Sequence, residues 1–240
     1  MKPTLRNPLA LLRSLVSLSA IAALLNGCAS SECDCCKAKP PTAAAQPGPA
    51  GAARSLFDGK TLTGWKDSGF AGAGEVTVVP DFKGQGPVIR IDAGQSLSGL
   101  TFTNPVPKTN FEITLEALKV QGNDFFVGLT FPVGEAHATL VLGGWGGATT
   151  GISSIDGLDA SENDTTKFLG YEKDKWFRIR MKVTPAKLEA WVNDDQIVDQ
   201  DLKDRRISMR FGEIESSVPL GIATYQTTTM VRSVQIKRVP

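Results

Sequence analysis

The chain has 240 residues, with 26 Lys and Arg, 25 Asp and Glu, and a single His. One histidine excludes sites that need two or more imidazoles, such as the HExxH zinc centres. The absence of GxxxxGK[ST] and GxGxxG sequences argues against nucleotide chemistry. With 24 Gly, 14 Pro and 41% hydrophobic residues, the composition is typical of a turn-rich, mostly β protein with a substantial core.

The first 27 residues have the pattern of a secretory signal, because basic residues precede the apolar run 15–25. That run is shorter than the roughly 20 apolar residues that a membrane-spanning helix needs. The following residues, 25–28 (LNGC), resemble the bacterial lipoprotein cleavage box. The resemblance implies an acylated Cys28 and a lipid-anchored protein of the cell envelope, at the outer membrane or the periplasmic face. The alternative is an ordinary signal peptide in which Cys28 is incidental.

Residues 28–54 are predicted to form a tether for a folded domain of residues 55–240. All four cysteines lie at positions 28 to 36, so none can cross-link the domain. The three after Cys28 are either metal ligands or, more simply, disulfide partners within or between tethers. The Pro-, Ala- and Gly-rich stretch 37–54 favours an extended linker. Removal of residues 1–27 leaves 23 basic residues against 25 acidic ones, a net charge of −2, which argues against nucleic acid as a partner.

From residue 55 onward the dominant hydrophobic period is two. Apolar and polar residues alternate in 111–117, 176–183, 188–192 and, less strictly, 231–239, which predicts antiparallel strands with one wet face. Further strands are predicted near 75–80, 88–93, 98–104, 124–132, 137–143, 206–212 and 219–226. Because no stretch of twelve residues shows a 3.6 period, the predicted fold is an all-β, two-sheet antiparallel jelly-roll sandwich.

The start of this domain resembles a known family. Residues 55–65 (SLFDGKTLTGW) are similar to the opening signature of the 3-keto-disaccharide hydrolase family, and 110–116, 175–193 and 219–225 are similar to its later strands, in order. The resemblance covers about residues 55–239. It implies a concanavalin-A-like sandwich and carbohydrate processing, by hydrolysis or elimination of 3-keto-glycosides.

Two motifs common in that family are altered in this sequence. Of the "N-S-G-I-F-x-R" strand only Gly122 and Asn123 are matched, and the paired acids of the "E-x-Q-I-x-D" strand are missing. The fold is therefore expected to be shared, whereas the activity must be argued from the site itself. We take Asn123 and the adjacent Asp124 as candidate substrate contacts.

Candidate catalytic residues follow from the chemistry of a 3-keto-glycoside. The ketone acidifies the proton on C2, so a base can drive loss of the C1 substituent, and water then adds. Such a site needs a base, an enolate stabiliser and a sugar platform. The candidate base is His137, whose imidazole titrates near neutrality, or a carboxylate such as Glu135 or Asp156. A lone histidine on an alternating strand is, alternatively, structural.

The sugar platform is predicted at residues 142–148 (LGGWGGA), the most unusual segment of the chain. Glycines on both sides leave Trp145 with little cover, so its ring can stack on a pyranose face. The alternative is that the glycines permit a bulge and that the ring caps one end of the core. Trp191 is a further candidate for substrate binding, because it falls on the strand face opposite Leu188 and Ala190.

An acidic loop at residues 154–166 is a candidate metal site. Its four carboxylates are hard oxygen ligands that suit Ca²⁺ and belong to Asp156, Asp159, Glu162 and Asp164. The spacing is not that of an EF-hand, and a solvated loop with Asx turns is the alternative.

Three functions are compatible with these patterns. The first is a carbohydrate-processing enzyme, the second is a glycan-binding module without catalysis, and the third is an envelope protein that contacts another protein. The expected partners are a saccharide and, through the lipid anchor, a membrane, with no nucleic acid. A pocket in which His137, Trp145 and an acid converge would favour the enzyme.

Overall fold

The computed structural model describes residues 51–240, so the signal segment, Cys28 and most of the tether lie outside the described residues. Within 51–240 the chain forms fifteen strands and one short 3₁₀ helix, Glu213–Ser217. No helix in this part of the chain is long and apolar enough to cross a membrane. The strands are β1 Arg54–Ser55, β2 Trp65–Asp67, β3 Val76–Val79, β4 Val88–Ile91, β5 Leu97–Phe102, β6 Phe111–Gln121, β7 Val127–Val133, β8 Ala136–Gly144, β9 Thr149–Ser153, β10 Lys167–Phe168, β11 Trp176–Val183, β12 Lys187–Val192, β13 Asp195–Asp201, β14 Leu220–Tyr225 and β15 Thr228–Arg238.

The strands form two antiparallel sheets. The eight-stranded sheet has the order β13-β12-β11-β6-β15-β4-β3, with β1 beside β15. The seven-stranded sheet has the order β10-β9-β8-β7-β14-β5-β2. Strands distant in sequence are neighbours in both sheets, as in a jelly roll. The predicted all-β, two-sheet antiparallel sandwich is confirmed.

The core lies between the sheets and follows the predicted alternation. On β11 the buried residues alternate with solvent-facing ones, and Ile179 is paired with Leu115 of β6. On β8, Leu140 and Leu142 face the same core and are fully buried. Each such side chain contributes about 1.5–3 kcal/mol through its removal from water.

The opening signature that carries the family resemblance closes one end of the core. Leu56 and Phe57 are buried, and the Trp65 indole Nε1–H donates to the Leu56 carbonyl at 2.6 Å. Asp58 Oδ1 accepts the backbone N–H groups of Thr61 at 2.7 Å and Lys60 at 2.8 Å, and these hydrogen bonds lower the pKa of Asp58. The signature is thus a structural element of the sandwich.

A segment of residues 202–219, called the crossover below, links β13 of one sheet to β14 of the other. The predicted strand at 206–212 is wrong, because this part of the crossover has only one bridge, from Ile207 to Ile155. The crossover lies against the outer face of the seven-stranded sheet. A Cβ added to Gly221 of β14 would lie 2.6 Å from the Ser217 carbonyl oxygen, so glycine is required for this close approach.

Candidate functional site

The outer face of the seven-stranded sheet and the crossover enclose a cleft of about 420 Å³. This volume lies in the range of small-molecule sites, roughly 300–1,000 Å³. The floor comes from strands β5, β8, β9 and β14 and one wall from the crossover. The lining residues are Ser96, Leu97, Asp124, Phe125, Thr139, Val141, Trp145, Ser153, Arg210, Phe211, Glu213, Ile214 and Tyr225.

The alternation of side chains along β8 determines which of its residues form the floor of the cleft. Because Leu140 and Leu142 face the core, Thr139 and Val141 face the cleft. The Thr139 hydroxyl shares a 2.9 Å hydrogen bond with that of Thr130 on β7. His137 lies on the same face of β8, two residues before Thr139, but does not line the cleft.

Trp145 lines the cleft from a tight turn after β8. Its φ is 48°, and the next two residues, Gly146 and Gly147, also have positive φ. Asp124 holds this turn, since its Oδ2 accepts the Gly146 N–H at 2.9 Å while its Oδ1 accepts the Phe125 N–H at 2.8 Å. The Trp145 side chain is 44% exposed and lines the cleft, so it does not cap the core.

Arg210 from the crossover covers part of Trp145. Its Cζ lies 5.5 Å from the Trp145 ring centroid, within the range of a cation–π contact. Its Nη1 lies 3.0 Å from Asp159 Oδ2. The second Asp159 oxygen accepts the hydroxyls of Ser153 at 3.1 Å and Ser154 at 3.0 Å. The guanidinium is therefore fixed to the strand that supplies the cleft floor.

Further aromatic side chains line the cleft. The rings of Phe125 and Tyr225 are 5.9 Å apart and tilted by 36°. Phe211 stands at the mouth and is 92% exposed. Glu213 joins the 3₁₀ helix to the sheet edge, with Oε1 accepting the Ala71 N–H at 3.1 Å and Oε2 accepting the Ser96 hydroxyl at 3.4 Å. The cleft thus combines aromatic rings with one guanidinium and two carboxylates.

The model of one family, described as the 3-keto-alpha-glucoside-1,2-lyase-like domain, matches residues 52–237. The chain belongs to this family. The lyase-like domain is therefore a carbohydrate-related domain, and the match includes every strand from β2 to β14. No curated protein is similar enough in sequence to serve as a relative.

Solved structures resemble the lyase-like domain in fold. Apo Crh5 transglycosylase superposes with a TM-score of 0.51 at 10% identity, covering 79% of this chain and 84% of that one. A structure reported for endo-acting O-glycanases of the human gut microbiota has a TM-score of 0.50 at 11% identity, covering 80% and 100%. A putative glycosyl hydrolase from Parabacteroides distasonis ATCC 8503 has a TM-score of 0.47 at 13% identity, covering 78% and 94%.

None of the three candidate catalytic residues lines the cleft of the lyase-like domain. His137 is half-buried, and its pKa is lowered by burial first and by Lys108 second, whereas Glu135 acts in the opposite direction. Glu135 is 86% exposed and pairs with Lys108 at 2.5 Å. Asp156 accepts the Arg206 backbone N–H at 2.7 Å, and this bond, with Arg205, lowers its pKa, which makes it a weak proton acceptor. The expected convergence of a base on Trp145 is therefore not formed by these residues.

Arginines of the crossover pair with three of the four acids of the loop. Arg205 contacts Asp156 at 2.8 Å and Asp164 at 2.5 Å, Asp159 pairs with Arg210, and Glu162 is exposed. Among residues 51–240, no three His, Cys, Asp or Glu side chains are grouped as metal ligands would be. The four acids are thus not grouped as metal ligands in this part of the chain, and a cation at three of them would compete with a guanidinium group.

The candidate substrate-binding residues are divided between the two sheets. Trp145 and Asp124 line the cleft, and the exposed Asn123 precedes Asp124 on the same connection. Trp191 lies on β12 of the eight-stranded sheet, where Arg180 covers its ring at 3.7 Å, so it is remote from the cleft in topology. Four residues that line the cleft could not be identified from the sequence, because the crossover and β14 approach the Trp145 turn only in the folded chain. These residues are Arg210, Phe211, Glu213 and Tyr225.

Proposed function

We propose that the lyase-like domain binds a saccharide in this cleft. The observation that carries the proposal is the exposed Trp145 ring in a cleft that the rings of Phe125 and Tyr225 also line. The C–H faces of a pyranose pack on such rings through apolar contact. The hydroxyl groups find donors on Arg210 and acceptors on the carboxylates of Asp124 and Glu213.

Trp145→Ala provides the test, with Trp191→Ala as its matched control. Both indoles are near an arginine, but only that of Trp145 lines the cleft. Titration calorimetry with methyl 3-keto-α-glucoside and with methyl α-glucoside is expected to show affinity at least about tenfold weaker for Trp145→Ala. Trp191→Ala should bind like the wild type. Equal affinities for both variants and the wild type would contradict the proposal.

A second candidate function is elimination of a 3-keto-glycoside. Family membership supports it, and so does the presence of both Glu213 and Arg210 in the cleft. A carboxylate would take the C2 proton, and the enolate formed on C2, C3 and the C3 oxygen would be stabilised by the guanidinium. The C1–O bond then breaks as a C1–C2 double bond forms, the departing oxygen takes a proton, and water adds across the double bond to restore the 3-keto sugar.

Turnover of 4-nitrophenyl 3-keto-α-glucoside tests this second function through release of nitrophenol. Glu213→Gln should abolish turnover while binding persists, and His137→Ala should leave turnover intact because His137 does not line the cleft. Loss of turnover in His137→Ala alone would restore the histidine as the base. Binding by the wild type without any turnover would identify a glycan-binding module.

We also propose that the domain is presented at the cell envelope by an acyl chain on Cys28. The proposal is supported by the basic start, the apolar run and the LNGC box of the sequence. Cys28→Ser should abolish labelling by an alkynyl fatty acid and move the protein from the membrane fraction to the soluble fraction. Cys33→Ser, five positions later, is the control and should retain both properties.

A further inference from the structure

Two groups of ion pairs join the acidic loop 154–166 to the crossover. In the first, Arg205 bridges Asp156 and Asp164. In the second, Arg210 binds Asp159. Backbone N–H groups also join the two segments, through hydrogen bonds of Ser154 with Ser208 and of Asp156 with Arg206. Of the two ion-pair connections, only the second contains a residue that lines the cleft.

The second connection is anchored more firmly in the sheet. The Asp159 side chain is 22% exposed, against 36% for Asp156 and 70% for Asp164. Asp159 accepts hydrogen bonds from Ser153, which lines the cleft floor, and from Ser154. Its other oxygen binds Nη1 of Arg210. The Asp159 carboxylate thus links the crossover, which forms the wall of the cleft, to β9, which forms part of its floor.

We infer that Asp159 is a positioning residue for the saccharide site, holding the Arg210 guanidinium beside the face of Trp145. Asp159 does not line the cleft itself, so it acts through Arg210. Because Asp159 engages Nη1, the other N–H groups of the guanidinium are available to sugar hydroxyls. The part of this inference that concerns affinity rests on the proposed saccharide binding; the part that concerns the geometry of Arg210 does not.

Asp159→Asn removes the charge and retains the shape of the side chain. Its matched control is Asp156→Asn, which removes an acid of the same loop that pairs with the same crossover but outside the cleft. We expect methyl 3-keto-α-glucoside to bind about tenfold more weakly to Asp159→Asn and with unchanged affinity to Asp156→Asn. In Arg210→Gln, addition of Asp159→Asn should cause no further loss, because the two residues act in series.

A second readout requires no saccharide. The indole N–H resonance of Trp145, assigned by its absence in Trp145→Phe, should shift in Asp159→Asn and in Arg210→Gln, and stay in place in Asp156→Asn. Arg210→Gln breaks the same ion pair from the more exposed side, so it serves if Asp159→Asn does not fold. Additive losses in the double variant, equal effects of Asp156→Asn, or an unmoved resonance would each overturn the inference. Absence of saccharide binding by the wild type would overturn the proposed function alone, since the resonance still tests Asp159.

Discussion

The carboxylate of Asp124 accepts the backbone N–H of Gly146 at 2.9 Å, and so ties the start of β7 to the turn that presents Trp145. The turn follows β8, whose last residues pair with the beginning of β7. A residue at the entry of one strand therefore fixes an aromatic side chain at the exit of the next. Without this bond, three successive residues with positive φ would have few constraints.

Asp124→Ala should loosen this turn and weaken saccharide binding. Two backbone N–H groups, those of Phe125 and Gly146, lose their acceptor, which we expect to lower the free energy of unfolding by about 1–3 kcal/mol. Urea unfolding and calorimetric titration measure the two effects. Asp67→Ala is the control, because Asp67 also accepts a loop glycine N–H, from Gly69, yet does not line the cleft. Unaltered saccharide affinity in Asp124→Ala would show that the Asp124 hydrogen bonds to the turn do not contribute to saccharide binding.

Sequence alone predicts the strands that have one buried face and one face exposed to solvent. In 111–117 and 176–183 the alternation is maintained over the whole strand, and both segments are strands of the eight-stranded sheet. Strand β9, Thr149–Ser153, was not predicted, because all five of its residues are buried and alternation is absent. The segment 206–212 alternates in sequence but belongs to the crossover, which passes over a sheet and does not extend it.

The site was predictable only where its residues are consecutive in sequence. The glycines around Trp145 identified an exposed indole, because they remove neighbouring side chains in any fold. Arg210 and Tyr225, in contrast, reach the cleft through the path of the crossover and the position of β14 between β7 and β5. The acids of loop 154–166 suggested calcium, since nothing in their spacing indicates that Arg205 and Arg210, some forty to fifty positions later, contact them.

The stability of the domain should fall on acidification in part through His137. Burial lowers the pKa of His137 in the folded state below its ordinary value near 6.5. The unfolded chain consequently binds a proton at a higher pH than the folded one does. The stabilisation is complete above about pH 6.5 and is lost as the pH falls toward the folded-state pKa.

His137→Gln should reduce this pH dependence. Urea unfolding at pH 7.5 and pH 5 should show a smaller loss of stability in the variant than in the wild type. Lys108 and Glu135 act on the same imidazole in opposite directions, so Lys108→Gln should raise its pKa, which NMR titration of the ring measures directly. The same loss of stability in both proteins would show that other groups dominate the acid response.

Calcium should leave the domain unchanged. The guanidinium groups of Arg205 and Arg210 already pair with three of the four acids of loop 154–166, and a cation would have to displace them. We expect the same Tm in EGTA and in millimolar CaCl₂. Arg205→Ala removes the competing charge, so it is the variant in which weak calcium binding would first become detectable. A rise in the wild-type Tm with CaCl₂ would contradict this assignment of the loop.

Gly221→Ala should destabilise the domain by separating the crossover from the sheet. The added Cβ would lie 2.6 Å from the carbonyl oxygen of Ser217, the last residue of the 3₁₀ helix that begins at Glu213. Since the obstacle is backbone, the helix itself must move, at a cost of about 1–3 kcal/mol. The displacement would carry Glu213 away from Ser96, so saccharide affinity should fall together with stability.

Gly170→Ala is the matched control for this substitution. A Cβ at Gly170 meets no atom within 4 Å, and its φ is not in the left-handed region. The variant should be neutral or stabilised by up to about 1 kcal/mol, because alanine restricts the unfolded chain. Thermal unfolding and calorimetric titration of both variants therefore distinguish a specific contact of the crossover from a general effect of adding a methyl group. If Gly221→Ala loses stability but retains full affinity, the 3₁₀ helix supports the fold and not the saccharide site.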